Sequence, residues 1–365
     1  MRPFTLTGLL LTFLFIPLLW FWSTTSEQTF WSTDLRHDLQ EKVLTALEGA
    51  EKTIEISIYS LNDPHILQML RRRADAGIRV KVLLDHKSTP YAKKKLGPRV
   101  ETALYEGRGL MHHKIIVIDG KEVWLGSANL TPDSLKVHSN LMQRFSSEPL
   151  ADYLRQKLSE MQTAGKVTPL PHKTFEIANK TIEFWFLPDN PKGADRIKEL
   201  IASAKKSLRV AMYTFTRDDF CDCLVKQAKA GIRVEVIMDG GMCAGVCQKV
   251  SKALADSPVH VYKSEGAPLL HHKLMIIDDA TLEFGSANWT KAAFANNDDY
   301  FLIESHLSPA EQEELANLWQ ALLKRSLSLS ETKSFWQTGW EWLHTFYLKV
   351  IQVKTLVSAL DEGPD

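Results

Sequence analysis

Cysteine is scarce and confined: Cys221, Cys223, Cys243 and Cys247 are the only four in 365 residues, and all lie in the second half. Any disulfide or thiolate metal site is therefore restricted to that half. A surplus of either charge is also missing, with 44 lysines and arginines against 44 aspartates and glutamates. No global field draws in a polyanion, which counts against a dedicated nucleic-acid binder while leaving room for a local basic groove. Neither half holds carboxylates at metal-ligand spacing, so no metal and no other cofactor is expected. What remains is a globular composition, 44% hydrophobic and 24% charged, long enough for two domains of ordinary size.

Long apolar runs are absent but for one. Arg2 precedes an uncharged stretch from Phe4 to Trp22, and nineteen helical residues reach roughly 28 Å, close to the hydrocarbon thickness of a bilayer. Trp20, Phe21 and Trp22 suit an interfacial belt. The following Ser23-Thr-Thr-Ser26 is a poor cleavage signal. An uncleaved signal anchor is favoured over a cleaved signal peptide, with a buried core helix third. The positive charge ahead of the span places the bulk of the chain on the non-cytoplasmic side, or outside the cell if the segment is cleaved.

The chain repeats itself. Thr53-Ile-Glu-Ile-Ser-Ile-Tyr-Ser60, a helical stretch and Ala76-Gly-Ile-Arg-Val-Lys-Val-Leu-Leu-Asp85 return as Ser207-Leu-Arg-Val-Ala-Met-Tyr-Thr214, a second helical stretch and Ala230-Gly-Ile-Arg-Val-Glu-Val-Ile-Met-Asp239. Tyr59 and Tyr213, Gly77 and Gly231, and Asp85 and Asp239 are each 154 residues apart. β-branched runs flanking a helix of about a dozen residues predict a βαβ unit, with Gly77 and Gly231 past the helix end. Each half closes with an amphipathic helix, over about 149–162 and 309–324. The expected organisation is a membrane segment (1–28), half 1 (29–165), a linker (166–181), half 2 (182–328) and a tail (329–365). This is an α/β chain built as a tandem, pseudo-twofold pair of domains behind an N-terminal hydrophobic helix.

A second shared block carries the chemistry. It reads His112-His-Lys114, then Asp119, then Gly126-Ser127-Ala-Asn129 in the first half. In the second half it reads His271-His-Lys273, then Asp278, then Gly285-Ser286-Ala-Asn288. In a strand, alternate side chains share a face, so each His aligns with its Lys while His113 and His272 point the other way, into the core. Cleaving a phosphodiester requires a nucleophile, an acid for the leaving oxygen and donors for the charged oxygens. Imidazole can fill the first two roles near neutrality. Lys114, Lys273, Asn129 and Asn288 can fill the third, where a metal ion would otherwise act. Gly126, Ser127, Gly285 and Ser286 are small enough for backbone to approach a phosphate. Asp119 and Asp278, on the opposite face, read as structural charge partners.

The duplicated H-x-K-x4-D followed by G-S-x-N resembles the phospholipase D superfamily, over about residues 29–328. Gly126-Ser-Ala-Asn-Leu-Thr131 and Gly285-Ser-Ala-Asn-Trp-Thr290 are closest to its endonuclease-like and cardiolipin-hydrolase-like branch. The resemblance implies metal-independent attack through a phosphohistidine at one site shared by the halves, a pseudo-dimer within one chain with no obligate oligomer. It also implies an acidic residue downstream of G-S-x-N that orients an imidazole. Asp299 lies 28 residues beyond His271, whereas the first half has Ser139-Asn140-Leu141-Met142 at the matching place. Asp299 is thus expected on His271, making His271 the acid and His112 the nucleophile. A phospholipid headgroup at a membrane surface is the favoured substrate, with DNA or RNA the alternative and a non-catalytic binding protein a remote third.

Two features stand apart. A cysteine pair on the helix after one strand and another in the loop after the next suit one or two disulfides, ahead of free thiols or zinc. Between Phe335 and Leu360, aromatic and aliphatic residues, Trp336 and Trp340 among them, oppose a polar arc. That helix suits a membrane interface or docking on the protein itself, equally.

Overall fold

Alternation of buried β-branched residues with helix-forming stretches produces two sheets of matching order. The computed structural model describes residues 30–162, 168–266 and 268–329; the apolar run 4–22 and the tail 335–360 lie outside them. In the first half β1 (Phe30–Ser32), β2 (Thr53–Ile58), β3 (Arg79–Asp85), β4 (Glu101–Tyr105), β5 (Lys114–Ile118), β6 (Glu122–Gly126) and β7 (Leu141–Ser146) pair in the order β1-β7-β6-β5-β2-β3-β4. The second half holds β8 (Lys173–Ile177), β9 (Lys180–Leu187), β10 (Ser207–Met212), β11 (Arg233–Met238), β12 (His260–Ser264), β13 (Lys273–Ile277), β14 (Thr281–Gly285), β15 (Asp299–Ser305) and β16 (Ser326–Ser328). Their order, β16-β12-β11-β10-β13-β14-β15-β9-β8, repeats that of the first sheet with one strand added at each edge.

The βαβ units form as the pattern predicts. β2 and β3 are parallel, as are β10 and β11, with helices Pro64–Asp75 and Asp218–Lys229 between them. Asp63 starts the first helix, its carboxylate accepting the N–H groups of His65 and Ile66 at 3.0 Å ahead of Pro64 at the first helical position. Gly77 and Gly231 follow the helix ends at φ +92° and +91°, a left-handed conformation open to glycine. The closing helices run Glu148–Gln162 and Pro309–Leu323. Where the linker was expected, Lys173–Ile177 form β8, which pairs antiparallel with β9, and β9 continues the sheet beside β15.

Three apolar layers result. Helices cover the outer face of each sheet, as where Val43, Ile66 and Leu70 meet Ile54 and Val82. The inner layer joins Ile115, Val117 and Leu125 of the first sheet with Leu274, Phe284 and Tyr300 of the second, and takes in the closing helices through Leu154 and Leu318. Through this layer the Tyr300 hydroxyl accepts from the Gly126 N–H at 2.9 Å and reaches the carbonyls of Lys114 and Gly126 at 2.8 and 3.0 Å. The inter-half bridges come in matched pairs, Met111 with Asp298 and Ser139 with Leu270, the reciprocity of an isologous contact.

Asp119 and Asp278 do structural work, but with backbone rather than charged partners. Each sits at positive φ in the turn after β5 or β13. Asp119 accepts N–H groups of Glu51, Lys52 and Thr53 at 2.7–2.9 Å, and Asp278 those of Lys205, Lys206 and Ser207 at 2.7–2.8 Å. Partial burial works against the charge, yet the three donors hold the Asp119 carboxyl below its usual range. With its folded pKa depressed, its stabilisation is present above the ordinary carboxylate range and lost as pH falls through it. Asp119→Ala should therefore cost about 1–2 kcal/mol at pH 7 by denaturant titration, and the difference from the parent should shrink toward pH 3.

Candidate active site

The imidazoles and ammonium groups of both halves meet where the chain enters β5 and β13. These strands are antiparallel to β2 and β10, so His112 and His271 stand at the carboxyl ends of the parallel strands. His112 and His271 are 7% and 8% exposed, and Lys114 and Lys273 each 1%. Lys114 Nζ donates to the His112 carbonyl at 2.8 Å, and Lys273 Nζ to that of His271 at 2.7 Å. Tyr59 and Tyr213 pack against the two imidazoles with ring centres 5.1 and 5.0 Å away, and the ammonium groups lie 5.2 and 5.0 Å from the same tyrosine rings.

The partners of the imidazoles are crossed, which corrects the expectation for Asp299. Its Oδ1 meets Nδ1 of His112 at 2.8 Å, not His271. His271 Nδ1 instead meets Oδ1 of Asn140 at 3.0 Å. The reason is topological: β7 and β15 begin beside the opposite half, where Ser139 and Asp298 bridge to Leu270 and Met111. Sequence spacing within one half cannot show this.

Ser127 and Ser286 matter for their hydroxyls as well as their size. Ser286 Oγ donates to Asp299 Oδ1 at 2.7 Å, and Ser127 Oγ to Asn140 Oδ1 at 2.8 Å. The Asn140 amide also donates to the Ser134 carbonyl at 2.8 Å, so its oxygen faces His271. Nδ1–H of each ring is thereby engaged and Nε2 is left for a reacting atom. Gly126 and Gly285 also leave room for neighbouring backbone. A Cβ on Gly126 would overlap the Leu141 carbonyl oxygen, and one on Gly285 would lie 2.5 Å from that of Tyr300. They let β7 and β15 close against β6 and β14.

Asn129 and Asn288 end the G-S-x-N turns with Oδ1 buried and unpartnered. His113 and His272 are core residues as expected: His113 Nδ1 lies 3.1 Å from Ser57 Oγ, and His272 Nε2 lies 2.8 Å from Asp34 Oδ2. Sequence reasoning gave Asp85 and Asp239 no role beyond marking the repeat. Asp85 ends β3 and Asp239 directly follows β11, and each accepts the N–H ahead of a site histidine, that of Met111 or Leu270, at 3.0 Å. Their signal was their place at matched strand ends. The four cysteines are free thiols, contrary to the disulfides expected. Cys221, Cys243 and Cys247 pack in the outer apolar layer, and Cys247 Sγ accepts the Phe215 N–H at 3.1 Å.

Charge is unevenly met. Burial pushes the Lys114 ammonium down to about 7, with Asp299 and Asp85 pulling upward. Lys273 is lowered well below its usual value by burial and then by Lys114. Burial and Lys114 lower the His112 imidazole, opposed by Asp299. Burial, Lys273 and Lys114 push His271 well below the ordinary value. Such a centre gains most from an anion, which would restore the charged form of each lysine.

One imidazole and one lysine from each of two matched α/β halves, gathered at a buried junction, define the class: a duplicated α/β chain with a single site shared by its two halves. The chain belongs to the family described as "Cardiolipin synthase, PLD-like domain", which matches residues 43–162 and 197–323. It is 29% identical over 131 residues to the mitochondrial cardiolipin hydrolase of Chlamydomonas reinhardtii, covering 35% of this chain and 58% of that protein. It is 22% identical over 344 residues to the cardiolipin synthase of Clostridium perfringens (strain 13 / Type A), covering 82% of this chain and 72% of that one. The structure of phosphatidylserine synthase from Haemophilus influenzae Rd KW20 superposes with a TM-score of 0.64 at 14% identity, over 82% of this chain and 87% of that one, a likeness of fold. The chain spans less than two thirds of the length of the cardiolipin hydrolases it matches.

The lysine pKa values predict how an anion binds. Sulfate keeps its charge across neutral pH, so only the protein titrates. Its affinity, measured calorimetrically, should fall at least about tenfold per unit as pH rises above about 7 and the lysines discharge. Lys114→Met should bind more weakly and with a shallower slope.

Proposed function

We propose that this chain cleaves, or transfers to an alcohol, the headgroup phosphodiester of a phospholipid through a phosphohistidine. The observation that carries this reading is the crossed pair: two buried imidazoles, each fixed through Nδ1 by an acceptor from the opposite half, beside two lysines. The phosphodiester anion draws a proton onto His271 Nε2 as it binds. His112 Nε2 then attacks phosphorus, an N–P bond forms, and the bond to the leaving oxygen breaks as His271 protonates that oxygen. Water or an alcohol then gives its proton to His271 and attacks phosphorus, and the N–P bond breaks.

Asp299 suits His112 to the nucleophile's part. It holds the tautomer with a free Nε2 and offsets the positive charge that the ring acquires on bonding to phosphorus. His271, with only an amide as partner, surrenders a proton more readily than a carboxylate-paired imidazolium would. We keep the assignment expected from sequence, but for a different reason: in this reading the carboxylate serves the nucleophile. Lys114, Lys273, Asn129 and Asn288 meet the charge of the phosphoryl oxygens in place of a metal ion. The relatives named for cardiolipin chemistry and the balanced charge favour lipid over nucleic acid. Residues 4–22 would anchor the halves to the non-cytoplasmic face of a membrane.

The test uses phosphorus-labelled lipid in excess chelator, with labelled single- and double-stranded DNA in parallel. Lipid turnover without a divalent ion is expected, falling about 10²- to 10⁴-fold in His271→Ala. With a substrate bearing a good leaving group, His271→Ala should still carry label on His112, and His112→Ala should carry none. Label on His271 would reverse the roles, and turnover of DNA alone would favour the nuclease.

A further inference from the structure

Among the described residues the large apolar side chains left exposed are few, and most lie together. Tyr91, Val246, Val137 and Leu110 are 79%, 67%, 48% and 37% exposed. All four sit in loops at the end of the sheets that bears His112 and His271. Tyr91 follows the carboxyl end of β3, Val246 that of β11, and Leu110 that of β4, while Val137 follows the G-S-x-N turn at the end of β6. The other two exposed side chains of this kind, Leu104 and Leu327, belong to the edge strands β4 and β16.

These loops are tied to the site rather than hanging from it. Asp85 Oδ1 accepts the N–H groups of Lys87 and Ser88 at 2.9 and 2.8 Å, while its Oδ2 holds Met111 next to His112. Leu110 is fixed at both ends of its peptide, its N–H donating to Asn297 Oδ1 at 3.1 Å and its carbonyl accepting from Asp298 at 2.8 Å. Cys247, beside Val246, holds the Phe215 N–H in the loop that follows Tyr213. Exposed apolar tips on a fixed rim do not bury themselves by collapse.

The charge beside them has one dominant sign. Residues 86–99 include Lys87, Lys93, Lys94, Lys95 and Arg99 and no acidic residue. Arg108 lies next but one to Leu110, and Lys136 adjoins Val137, both exposed. Among the described residues, Arg99 is paired with Asp75, whereas no carboxylate pairs with Lys93, Lys94, Lys95, Arg108 or Lys136. Apolar tips among unpaired lysines match a surface that is anionic outside and hydrocarbon beneath.

We propose that this rim docks on an anionic phospholipid bilayer, with Tyr91, Leu110, Val137 and Val246 entering the headgroup layer and setting the buried histidines over the phosphodiester. The proposal rests on the phospholipid reading above and adds where the membrane meets the protein. It separates docking at the site from any anchoring by 4–22 or 335–360.

The full-length chain and its Tyr91→Asp/Val246→Asp variant would be assayed on phosphatidylglycerol vesicles and on a short-chain phosphatidylglycerol below its aggregation threshold. The variant should lose at least tenfold in vesicle turnover at subsaturating lipid and none on the monomeric substrate. Vesicle turnover by the parent should also fall between 0.1 and 1 M salt, as the Debye length shrinks from about 10 to about 3 Å. Unchanged vesicle turnover in the variant would overturn the proposal. If both substrates are lost together, Tyr91→Trp in the otherwise native chain decides. Quenching of the added emission by brominated anionic lipid supports docking, and its absence overturns it. A parent inactive on both lipids would instead defeat the phospholipid reading.

Discussion

The contact between His112 Nδ1 and Asp299 Oδ1 crosses from one half of the chain to the other, and so does its counterpart between His271 and Asn140. Neither half alone supplies a correctly held imidazole. Reciprocity therefore constrains everything around the site. β7 and β15 must begin where they can reach the partner's histidine, which places the bridges of Met111 to Asp298 and Ser139 to Leu270. Those strands can close only against glycine, hence Gly126 and Gly285, and the hydroxyls of Ser127 and Ser286 follow to steady the acceptors.

The inner apolar layer makes that crossing permanent. Both sheets and both closing helices share it, so separating the halves would expose it along with Tyr300, whose hydroxyl is bonded to the backbone of β5 and β6. Burying two ammonium groups beside two imidazoles is unfavourable in the absence of an anion, as their lowered pKa values record. The core on both sides offsets that penalty. What results is a site whose resting electrostatics favour a bound anion over solvent.

The halves are alike in frame and unlike in chemistry. A carboxylate holds one imidazole and an amide the other, and this single difference gives a symmetric scaffold a direction. On the mechanism proposed above, it lets one ring bear the phosphoryl group while the other moves the proton. Duplication supplies two equivalent rings, and the difference between Asn140 and Asp299 assigns them.

Much of this was legible in the chain. The repeat at constant offset announced two α/β halves, because strands alternate with period two and helices with 3.6 whatever their neighbours. His112, Lys114, Asn129 and their counterparts stood out because the same residue types recur at the same spacing in both halves. Residues close in sequence were read correctly: the helix starts and ends, the alternation that sends His113 and His272 inward, the glycines after the helices. The tertiary structure decided whatever depends on which strand lies beside which. It moved Asp299 onto His112, gave His271 to Asn140, turned Asp119 and Asp278 into acceptors of backbone N–H groups, placed Lys173–Ile177 in a sheet and left the cysteines reduced. A hydrogen bond extends about 3 Å, whereas the partners are 187 residues apart for His112 and Asp299, 131 for His271 and Asn140, and 66 for Asp119 and Thr53. Only the folded chain brings such partners within reach.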